Sequence, residues 1–401
     1  MANNLNETPD ANRVHIAFFG KRNAGKSSVV NAVIGQNLSI VSDVPGTTTD
    51  PVSKAMELLP VGPVVIIDTP GMDDSGKIGE LRVQKTKQML NKADIAVLVI
   101  DSVTGKSNCD EELIALFNAK EVPYIAVYNK SDLKSMDYLA DNEISVSAKT
   151  GENINALKDK IALFGAKKIN TKCIIRDKLK KDDLVILVTP IDGSAPKGRM
   201  ILPQVQTIRD ILDANAVCIT VQPEQLSFVL DNLKKKPKLV VTDSQVFKRM
   251  NALVPNDVLL TSFSILMADF KGFLNTAIRG AASIEKLKNG DTVLISEGCT
   301  HHRQCEDIGT VKLPSWLGKY TGKELEFKFT SGGEFPENLK EYALVVHCGG
   351  CMLNEKEMRY RQKCAEAQHV PFTNYGTAIA YMNGILKRSL EIFPDLQNEI
   401  L

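Results

Sequence analysis

The 401-residue sequence lacks the long apolar runs and the excess of one charge that would suggest a membrane or a nucleic acid as partner. It contains no apolar run of about 18 residues, the length that a membrane-spanning helix needs. Its N-terminus has neither the basic start nor the apolar stretch of a secretory signal, so we expect a cytoplasmic protein. The 49 basic and 48 acidic residues leave a net charge of +1, which gives no overall field for collecting nucleic acid.

Histidine is scarce as well, and its position beside cysteine is informative. The chain has five histidines and eight cysteines. In a cytoplasmic protein, cysteines are more often free thiols or metal ligands than disulfides. The histidines and cysteines that share one short region are Cys299, His301, His302, Cys305, His347, Cys348 and Cys351. Their clustering predicts a metal site.

The length of the chain predicts two or three domains. Residues 14–164 alternate β-branched runs with amphipathic stretches, which predicts an α/β domain with a doubly wound, mostly parallel sheet. A second α/β pattern begins at residue 184, and a long helical pattern through residues 268–287 opens a third region. We therefore expect a first domain at residues 1–167, followed by two smaller α/β domains at 168–263 and 264–401.

A phosphate-binding loop is predicted at residues 20–27, which read GKRNAGKS between the strand VHIAFF and the helical pattern SSVVNAVI. Glycines there let backbone N–H groups surround phosphate oxygens at a helix N-terminus. Lys26 supplies a charge to the β- and γ-phosphates, and Ser27 a hydroxyl ligand for Mg²⁺. The residues expected to contact the phosphates are Gly20, Asn23, Ala24, Gly25, Lys26, Ser27 and Ser28.

The segment DTPG indicates where magnesium and the γ-phosphate would lie. Asp68 ends the strand VVIID, where its carboxylate fits a place near Mg²⁺, and the Gly71 backbone N–H fits the γ-phosphate. Thr48, or its neighbour Thr47, fits the switch threonine whose hydroxyl closes on Mg²⁺. Met72 follows DTPG where Ras-type GTPases place a water-orienting glutamine, so we expect slow intrinsic turnover.

Two further motifs predict guanine as the base. A carboxylate at Asp132 can accept from both N1–H and the exocyclic amine of guanine, a donor pair that adenine lacks. The backbone of the next motif fits guanine O6. The residues of these two motifs are Asn129, Lys130, Asp132, Ser147, Ala148 and Lys149. The sequence therefore predicts a P-loop GTPase domain that binds GTP and GDP.

Asn23 indicates how hydrolysis of GTP would be activated. A phosphate loop with this asparagine and PGTTTD downstream resembles the potassium-activated GTPases of the Era and MnmE type. The resemblance implies that Asn23 binds a K⁺ ion standing where an arginine finger would. The alternative is that Asn23 only suits the turn of the loop. The predicted catalytic residues are Asn23, Lys26, Thr48, Asp68 and Gly71.

The Cys/His groups follow two predicted strands, DTVLIS and YALVVH, whose ends can converge on one point. Three chemistries fit these residues. Zinc would take four ligands as Cys2His2 or Cys3His. An iron–sulfur cluster would use Cys299, Cys348 and Cys351 and leave one iron to a weaker ligand. A redox CxxC pair would leave the preceding CxH unexplained.

The pattern as a whole resembles the HydF family of [FeFe]-hydrogenase maturation GTPases, in which CxH is followed by HCxxC behind a GTPase domain. Cys299, His301, His347, Cys348 and Cys351 match that pattern. The resemblance implies a [4Fe-4S] cluster on three cysteines, a central dimerisation domain, a homodimer and a GTPase acting as a switch. It also implies a scaffold that delivers a diiron precursor to apo-[FeFe]-hydrogenase after contact with radical-SAM maturases.

Two questions stay open at the level of sequence. The fourth iron could be held by His301, His347, water or a carboxylate such as Asp192, whereas His302 and Cys305 lie outside the family pattern. Alternative functions are a ribosome- or tRNA-associated GTPase with structural zinc, or a zinc-stabilised interaction module with a regulatory GTPase. The near-zero net charge counts against the RNA-associated alternative.

Overall fold

The computed structural model describes residues 8–35, 52–59, 61–71, 77–136, 139–166, 172–191, 200–298 and 308–396. The chain divides into two compact units, Met1–Asn170 and Thr171–Leu401. Within the described ranges, no helix combines the length and the apolar character needed to cross a membrane.

The first unit is built on a six-stranded sheet in the order β2-β3-β1-β4-β5-β6. Its strands are β1 (Val14–Gly20), β2 (Val52–Leu58), β3 (Gly62–Asp68), β4 (Ile95–Asp101), β5 (Tyr124–Asn129) and β6 (Glu143–Val146). Its helices are α1 (Lys26–Ile34), α2 (Lys77–Lys92), α3 (Asn108–Ala119) and α4 (Ile154–Ala166). All described strand pairs except β2–β3 are parallel, which confirms the predicted doubly wound, mostly parallel sheet.

The central strands form because their side chains are apolar on both faces. The strand β4, with the sequence IAVLVID, is buried from Ile95 to Ile100. The edge strand β2 is different, because its residues alternate between exposed and partly buried and it pairs antiparallel with β3. Since polar residues interrupt β2, the apolar runs in the sequence did not indicate it. The strand order changes direction at β1, so the carboxyl ends of β1, β3 and β5 form the expected ligand-binding edge.

The second unit contains two four-stranded sheets, in the orders β10-β9-β7-β8 and β12-β11-β13-β14, with parallel pairing throughout. The strands of the first are β7 (Leu184–Val188), β8 (Val217–Val221), β9 (Leu239–Thr242) and β10 (Leu259–Ser262). Those of the second are β11 (Thr292–Ser296), β12 (Glu326–Thr330), β13 (Leu344–His347) and β14 (Phe372–Asn374).

Nine α-helices accompany these two sheets in the described ranges. They are α5 (Leu202–Asp213), α6 (Leu226–Asn232), α7 (Phe247–Leu253), α8 (Phe263–Phe270), α9 (Leu274–Ala282), α10 (Leu313–Thr321), α11 (Glu355–Ala367), α12 (Tyr375–Met382) and α13 (Leu386–Ser389). One hydrophobic core joins side chains from both sheets, among them Val240 and Val345, with those of α8 and α9. The two sheets are thus packed as one unit, and the division after residue 263 stays a prediction.

One helix predicted from the sequence is wrong in its length. The single long helix predicted through residues 268–287 is two α-helices, α8 and α9, followed by a short 3-10 helix. The break lies at Gly272, whose φ of +79° is left-handed and ends α8. An apolar periodicity that continues across Gly272 concealed this turn.

Candidate functional site

The predicted phosphate loop leaves β1 and enters α1, as its motif requires. Gly25 has a φ of +83°, and a Cβ there would lie 2.2 Å from Asn129 Nδ2. Only glycine fits this position, because the backbone must pass close to the end of β5. Asn129 Nδ2 donates to the carbonyl of Ala24 at 3.1 Å. The predicted phosphate and guanine loops are therefore joined directly.

The charged groups predicted for phosphate and magnesium also lie together. Lys26 Nζ contacts Asp68 Oδ1, and Ser27 Oγ donates to Asp68 Oδ2 at 2.8 Å. Burial lowers the pKa of Lys26, while the neighbouring Asp68 acts in the opposite direction. A hydroxyl and a carboxylate at one point are the hard oxygen ligands that Mg²⁺ prefers, so these residues fit the ion.

The loop after β3 approaches the phosphate loop closely. A Cβ on Gly71 would lie 3.1 Å from Arg22 Cα. At the end of β1, a Cβ on Gly20 would lie 2.3 Å from the carbonyl oxygen of Val99, so glycine is required there as well. Ser28 follows in the first turn of α1 and is partly buried. Thr47, Thr48 and Met72 lie outside the described residues.

The predicted base loops meet through their side chains. Ser147 Oγ donates to Asp132 Oδ1 at 2.7 Å, and the Ala148 backbone N–H donates to Asn129 Oδ1 at 3.0 Å. These bonds hold the Asp132 carboxylate beside the loop of residues 147–149, whose last member, Lys149, is exposed. The arrangement offers a carboxylate acceptor and backbone donors on one side, which suits guanine.

Asp101 is a polar partner that sequence reasoning missed. Lys130 Nζ donates to Asp101 Oδ2 at 2.5 Å and to the carbonyl of Asn23 at 3.2 Å. The pKa of Asp101 is lowered: burial opposes the change, but the hydrogen bond and charge of Lys130 outweigh it. The sequence did contain a sign of this role, because Asp101 is a carboxylate at the end of the buried strand β4, on the ligand-binding edge. Lys130 thereby ties β4 to the phosphate loop.

In the second unit, the strands β11 and β13 end side by side. Ser296 of β11 pairs with His347 of β13, and the Cys348 backbone N–H donates to the Ser296 carbonyl at 2.9 Å. The backbone N–H groups of Gly298 and Gly350 donate to Cys348 Sγ at 3.1 and 3.4 Å. The two strand ends therefore meet at the Cys348 sulfur.

Two glycines allow the close approach of these chain segments. A Cβ on Gly298 would lie 2.8 Å from Leu353 Cγ, and one on Gly350 would lie 2.5 Å from Met358 Sδ. Gly350 also has a φ of +63°, which favours glycine. By contrast, a Cβ on Gly349 would meet nothing within 4 Å. The cysteine loop, by which we mean residues 348–353, wraps tightly on one side and is open at Gly349.

The two described thiols of this loop are held away from water. Burial raises the pKa of Cys348 to about 12, and the nearby Cys351 adds to the effect. Burial also raises the pKa of Cys351, and the charge of Lys271 partly offsets this. Because metals bind thiolates, occupancy by a metal group must be coupled to loss of these protons.

A complete metal site cannot be traced within the described ranges. Among those residues no group of three Cys, His, Asp or Glu side chains lies close enough to hold a metal ion. Cys299, His301, His302 and Cys305 fall outside them, as does Asp192. The residues that are described supply two of the three predicted cysteines and Gly298, which immediately precedes the third. Soft sulfur donors approached by backbone N–H groups fit an iron–sulfur cluster.

His347, one of the residues predicted to bind the metal, contacts protein groups through both nitrogens of its ring. Its ring is fully buried, with Nε2 3.0 Å from an Arg361 guanidinium nitrogen and Nδ1 2.8 Å from the Cys348 carbonyl oxygen. A guanidinium group only donates, so Nε2 accepts and Nδ1 carries the proton. Burial, and then the charge of Arg361, lowers the pKa of His347 to about 3. Both nitrogens of a neutral ring are thus engaged with protein groups.

Arg361 is the second residue in contact with a predicted site residue that sequence reasoning missed. It lies on α11 with its side chain fully buried. Met358 and Ala365 are buried on the same face, at helical spacing from Arg361. The sign of its burial in the sequence was therefore an arginine at helical spacing from apolar residues. Other charged residues on both sides of Arg361 concealed it.

Comparison with known proteins identifies three regions of the chain. Residues 15–130 match the model of the family described as "50S ribosome-binding GTPase". Residues 174–272 match the "Hydrogen maturase F dimerization domain", and residues 275–392 match the "Hydrogen maturase F tetramerization domain". The first match confirms that the N-terminal unit carries a GTPase domain.

Curated relatives include the GTPase Der of Wolinella succinogenes, 36% identical over 39% of this chain and 36% of that protein. They also include the tRNA modification GTPase MnmE of Clostridioides difficile, 34% identical over 42% of this chain and 38% of that protein. The chain thus spans less than half the length of these relatives. The two remaining matched regions carry the name of a single family and cover most of the second unit, so the chain belongs to the hydrogen maturase F (HydF) family.

Proposed function

We propose that this hydrogenase-maturation GTPase holds a [4Fe-4S] cluster on Cys299, Cys348 and Cys351 and delivers a diiron precursor to apo-[FeFe]-hydrogenase. The observation that carries the proposal is the meeting of two strand ends. Gly298 N–H donates to Cys348 Sγ at 3.1 Å, and Cys299 is the next residue after Gly298. This contact supports a site to which a third thiolate is brought by the neighbouring chain segment.

The loop residues have distinct parts in the proposed site. The N–H groups of Gly298 and Gly350 stabilise negative charge on Cys348 Sγ, because hydrogen bonds to the thiolate favour that form. Cys299, Cys348 and Cys351 would hold the cluster through three of its irons, and the fourth iron would then be available as the attachment point for the precursor. His301, His347, water and a carboxylate such as Asp192 remain the proposed alternatives for that position.

In the first unit, the proposed reaction is hydrolysis of GTP to GDP. Lys26 neutralises phosphate charge, while Ser27, Asp68 and Thr48 hold Mg²⁺, with Thr47 as the alternative threonine. The Gly71 N–H faces the γ-phosphate, and Asp132 selects guanine. Asn23 holds the proposed activating K⁺. The hydrogen bonds among these groups in the described residues support this assignment.

The nucleotide state is proposed to act as a switch. A γ-phosphate and its Mg²⁺ typically hold the loops that contact them and release them on hydrolysis. In this chain such a change would regulate contact with the radical-SAM maturases and the apo-hydrogenase. A homodimer, or an assembly of dimers, is supported by the dimerization and tetramerization domains of the family.

Anaerobic reconstitution tests the proposal. We expect iron and sulfide in the ratio of a [4Fe-4S] cluster and a reducible signal in electron paramagnetic resonance. Single substitutions Cys299→Ala, Cys348→Ala and Cys351→Ala should each lower the iron content, whereas Cys218→Ala and Cys364→Ala, outside the loop, should not. Colourless wild-type protein with stoichiometric zinc would overturn the carrier role and favour a structural zinc site in an RNA-associated GTPase or an interaction module.

A further inference from the structure

Behind the cysteine loop lies a fully buried arginine that the proposed function does not use. Arg361 Nε and one guanidinium nitrogen donate to Glu357 Oε1 at 3.1 and 3.0 Å. The same nitrogen donates to the Gly332 carbonyl at 2.6 Å, and the guanidinium lies over the Phe335 ring at 5.2 Å. These contacts anchor the guanidinium on one side and leave its other nitrogen directed toward β11 and β13.

That nitrogen contacts both strands from which the proposed cluster ligands emerge. It donates to His347 Nε2 at 3.0 Å and to Ser296 Oγ at 3.4 Å. Ser296 is the last residue of β11 and His347 the last of β13, and the two are paired in register. One side chain thus fixes the two strand ends relative to each other.

The bond between Arg361 and His347 also determines how His347 bonds to Cys348. Because the guanidinium donates to Nε2, the ring proton must be on Nδ1, which then donates to the Cys348 carbonyl at 2.8 Å. The Cys348 N–H is bonded to the Ser296 carbonyl as well. Both backbone polar groups of Cys348 are therefore held, which fixes where its Cα–Cβ bond points.

We propose that Arg361 is a positioning residue that, through His347, fixes the backbone of Cys348 and so the direction of its sulfur. The proposal rests on the proposed function, which makes that sulfur a cluster ligand. In this proposal His347 connects the two residues, because its ring bonds to Arg361 through Nε2 and to the Cys348 carbonyl through Nδ1. His347 is not an iron ligand in this arrangement.

Stability alone does not account for a buried ion pair of this kind. Replacing a buried, well-bonded pair by apolar side chains of similar size is often neutral for the free energy of unfolding, because desolvation opposes the attraction. A hydrogen-bonded pair does, however, impose one geometry on its partners.

Removing Arg361 alone would leave the Glu357 carboxylate buried and unpaired, which destabilises the fold. The Arg361 variants below therefore also carry Glu357→Gln and are compared with Glu357→Gln alone. The expected consequence of losing Arg361 in that background is a loop that samples several positions in a protein that still folds.

The first test uses the cluster-free full-length protein. The alkylation rate of every cysteine is measured by peptide mass spectrometry in wild type, Arg361→Met and Arg361→Lys. In Arg361→Met we expect Cys348 to react about tenfold faster, the effect of losing one hydrogen bond to a charged group. Arg361→Lys, which keeps one donor, should be intermediate. Cys109 and Cys218 should keep their rates in all variants.

Arg359→Met is the matched control, because Arg359 lies on the same helix but is half exposed and pairs with Glu355. It should leave the Cys348 rate unchanged. An unchanged Cys348 rate in folded Arg361→Met would overturn the proposal. Equal acceleration of all cysteines would also overturn it, because it would mean general loosening of the fold.

The second test separates positioning by His347 from ligation. Asparagine can place its amide N–H where Nδ1–H lies and keep the bond to Cys348, whereas glutamine reaches toward the Nε2 position and loses it. We expect Cys348 alkylation in His347→Asn to be slower than in His347→Gln, which loses the bond to the Cys348 carbonyl, and faster than in wild type, because the contact with Arg361 is lost in both. In reconstituted protein, iron release to a chelator should follow the same order. Equal loss of iron in both variants would indicate a ligand and contradict the proposal.

The two proposals fail in distinguishable ways. If wild-type protein takes up no cluster, the proposed function is wrong, but the alkylation rates still decide whether Arg361 positions Cys348. If wild type and Arg361→Met both bind the cluster and release iron at the same rate, the carrier role stands. In that case the positioning role of Arg361 is wrong.

Discussion

The two units build their sites from different parts of the chain. In the first unit, Lys26 and Ser27 reach Asp68 across the carboxyl ends of neighbouring strands, and short contiguous motifs supply the described groups other than Asp101. In the second, Cys348 is held by groups distant in sequence, from Ser296 to Arg361. Buried side chains contribute to both sites, among them Asp68 and Asn129 in the first and Arg361 and His347 in the second.

Both sites nevertheless use glycine in the same way. Gly25 lets the phosphate loop pass Asn129, and Gly298 lets the end of β11 pass Leu353. The difference is in what lies behind the loop. A phosphate loop binds largely through its backbone N–H groups at a helix N-terminus, whereas the direction of a thiolate ligand is set by the structure that surrounds its side chain. The comparison therefore predicts that the two sites can be damaged independently.

The largest expected effect is on nucleotide turnover. Lys26→Ala should reduce kcat/KM for GTP by roughly 100- to 1000-fold, the range for removing one group that stabilises a transferring phosphoryl. Iron and sulfide content after reconstitution should stay at the wild-type level. Lys21→Ala, an exposed lysine in the same loop, is the control and should keep turnover. Loss of the cluster in Lys26→Ala would break the proposed independence.

A smaller effect is expected on base selection. Asp132→Asn should weaken GTP binding by roughly 10- to 100-fold, since the amide keeps one acceptor and reverses the other hydrogen bond to a charged group, which contributes about 1.5–3 kcal/mol. Binding of xanthosine triphosphate should improve, because its base presents an acceptor where guanine presents an amine. Titration with both nucleotides measures this. Equal weakening for both would mean that Asp132 supports the loop through Ser147 and does not read the base.

In the second unit, Gly298→Ala tests the close approach at the cluster site. The new Cβ would overlap Leu353, and overpacking of this kind costs about 1–3 kcal/mol in the free energy of unfolding. We expect faster release of iron to a chelator and a lower thermal midpoint. Gly349→Ala is the matched control, because a Cβ there meets nothing within 4 Å.

Leu353→Ala should rescue Gly298→Ala, because the three nearest atoms to the added Cβ all belong to Leu353. The double variant should hold iron longer than Gly298→Ala alone. If it does not, the glycine is required for another reason.

The smallest expected effect concerns potassium. GTP turnover should be several-fold faster in potassium than in sodium, and Asn23→Gly should remove the difference. Glycine is the suitable replacement, because Asn23 has a φ of +64° and glycine adopts it without strain. Equal wild-type rates in the two salts would leave Asn23 with only its turn-forming role.

Residues near each other in sequence were predictable from it, and residues joined by packing were not. The nucleotide motifs could be placed because each lies between a strand and a helix, a context visible in the alternation of apolar residues. The meeting of β11 and β13 followed from Cys/His groups at two strand ends. The break at Gly272 was concealed by an apolar periodicity that runs through it.

The buried residues around the second site could not be predicted from the sequence. Arg361 stands in the sequence EKEMRYRQK, which reads as a solvated helix face. Its burial depends on long-range packing against β11 and β13, and Lys271, equally buried, donates to the Leu353 carbonyl from another element. Likewise, the contact of the His347 ring with Arg361 depends on tertiary packing, and nothing in the sequence indicated it.

The most direct test of the account is to measure iron, sulfide and GTP turnover on one preparation of the triple variant Cys299→Ala, Cys348→Ala, Cys351→Ala. We expect the bound iron and sulfide to be lost while turnover of GTP stays at the wild-type rate. Iron and sulfide at wild-type levels in this variant would contradict the assignment of the cluster to these three thiolates.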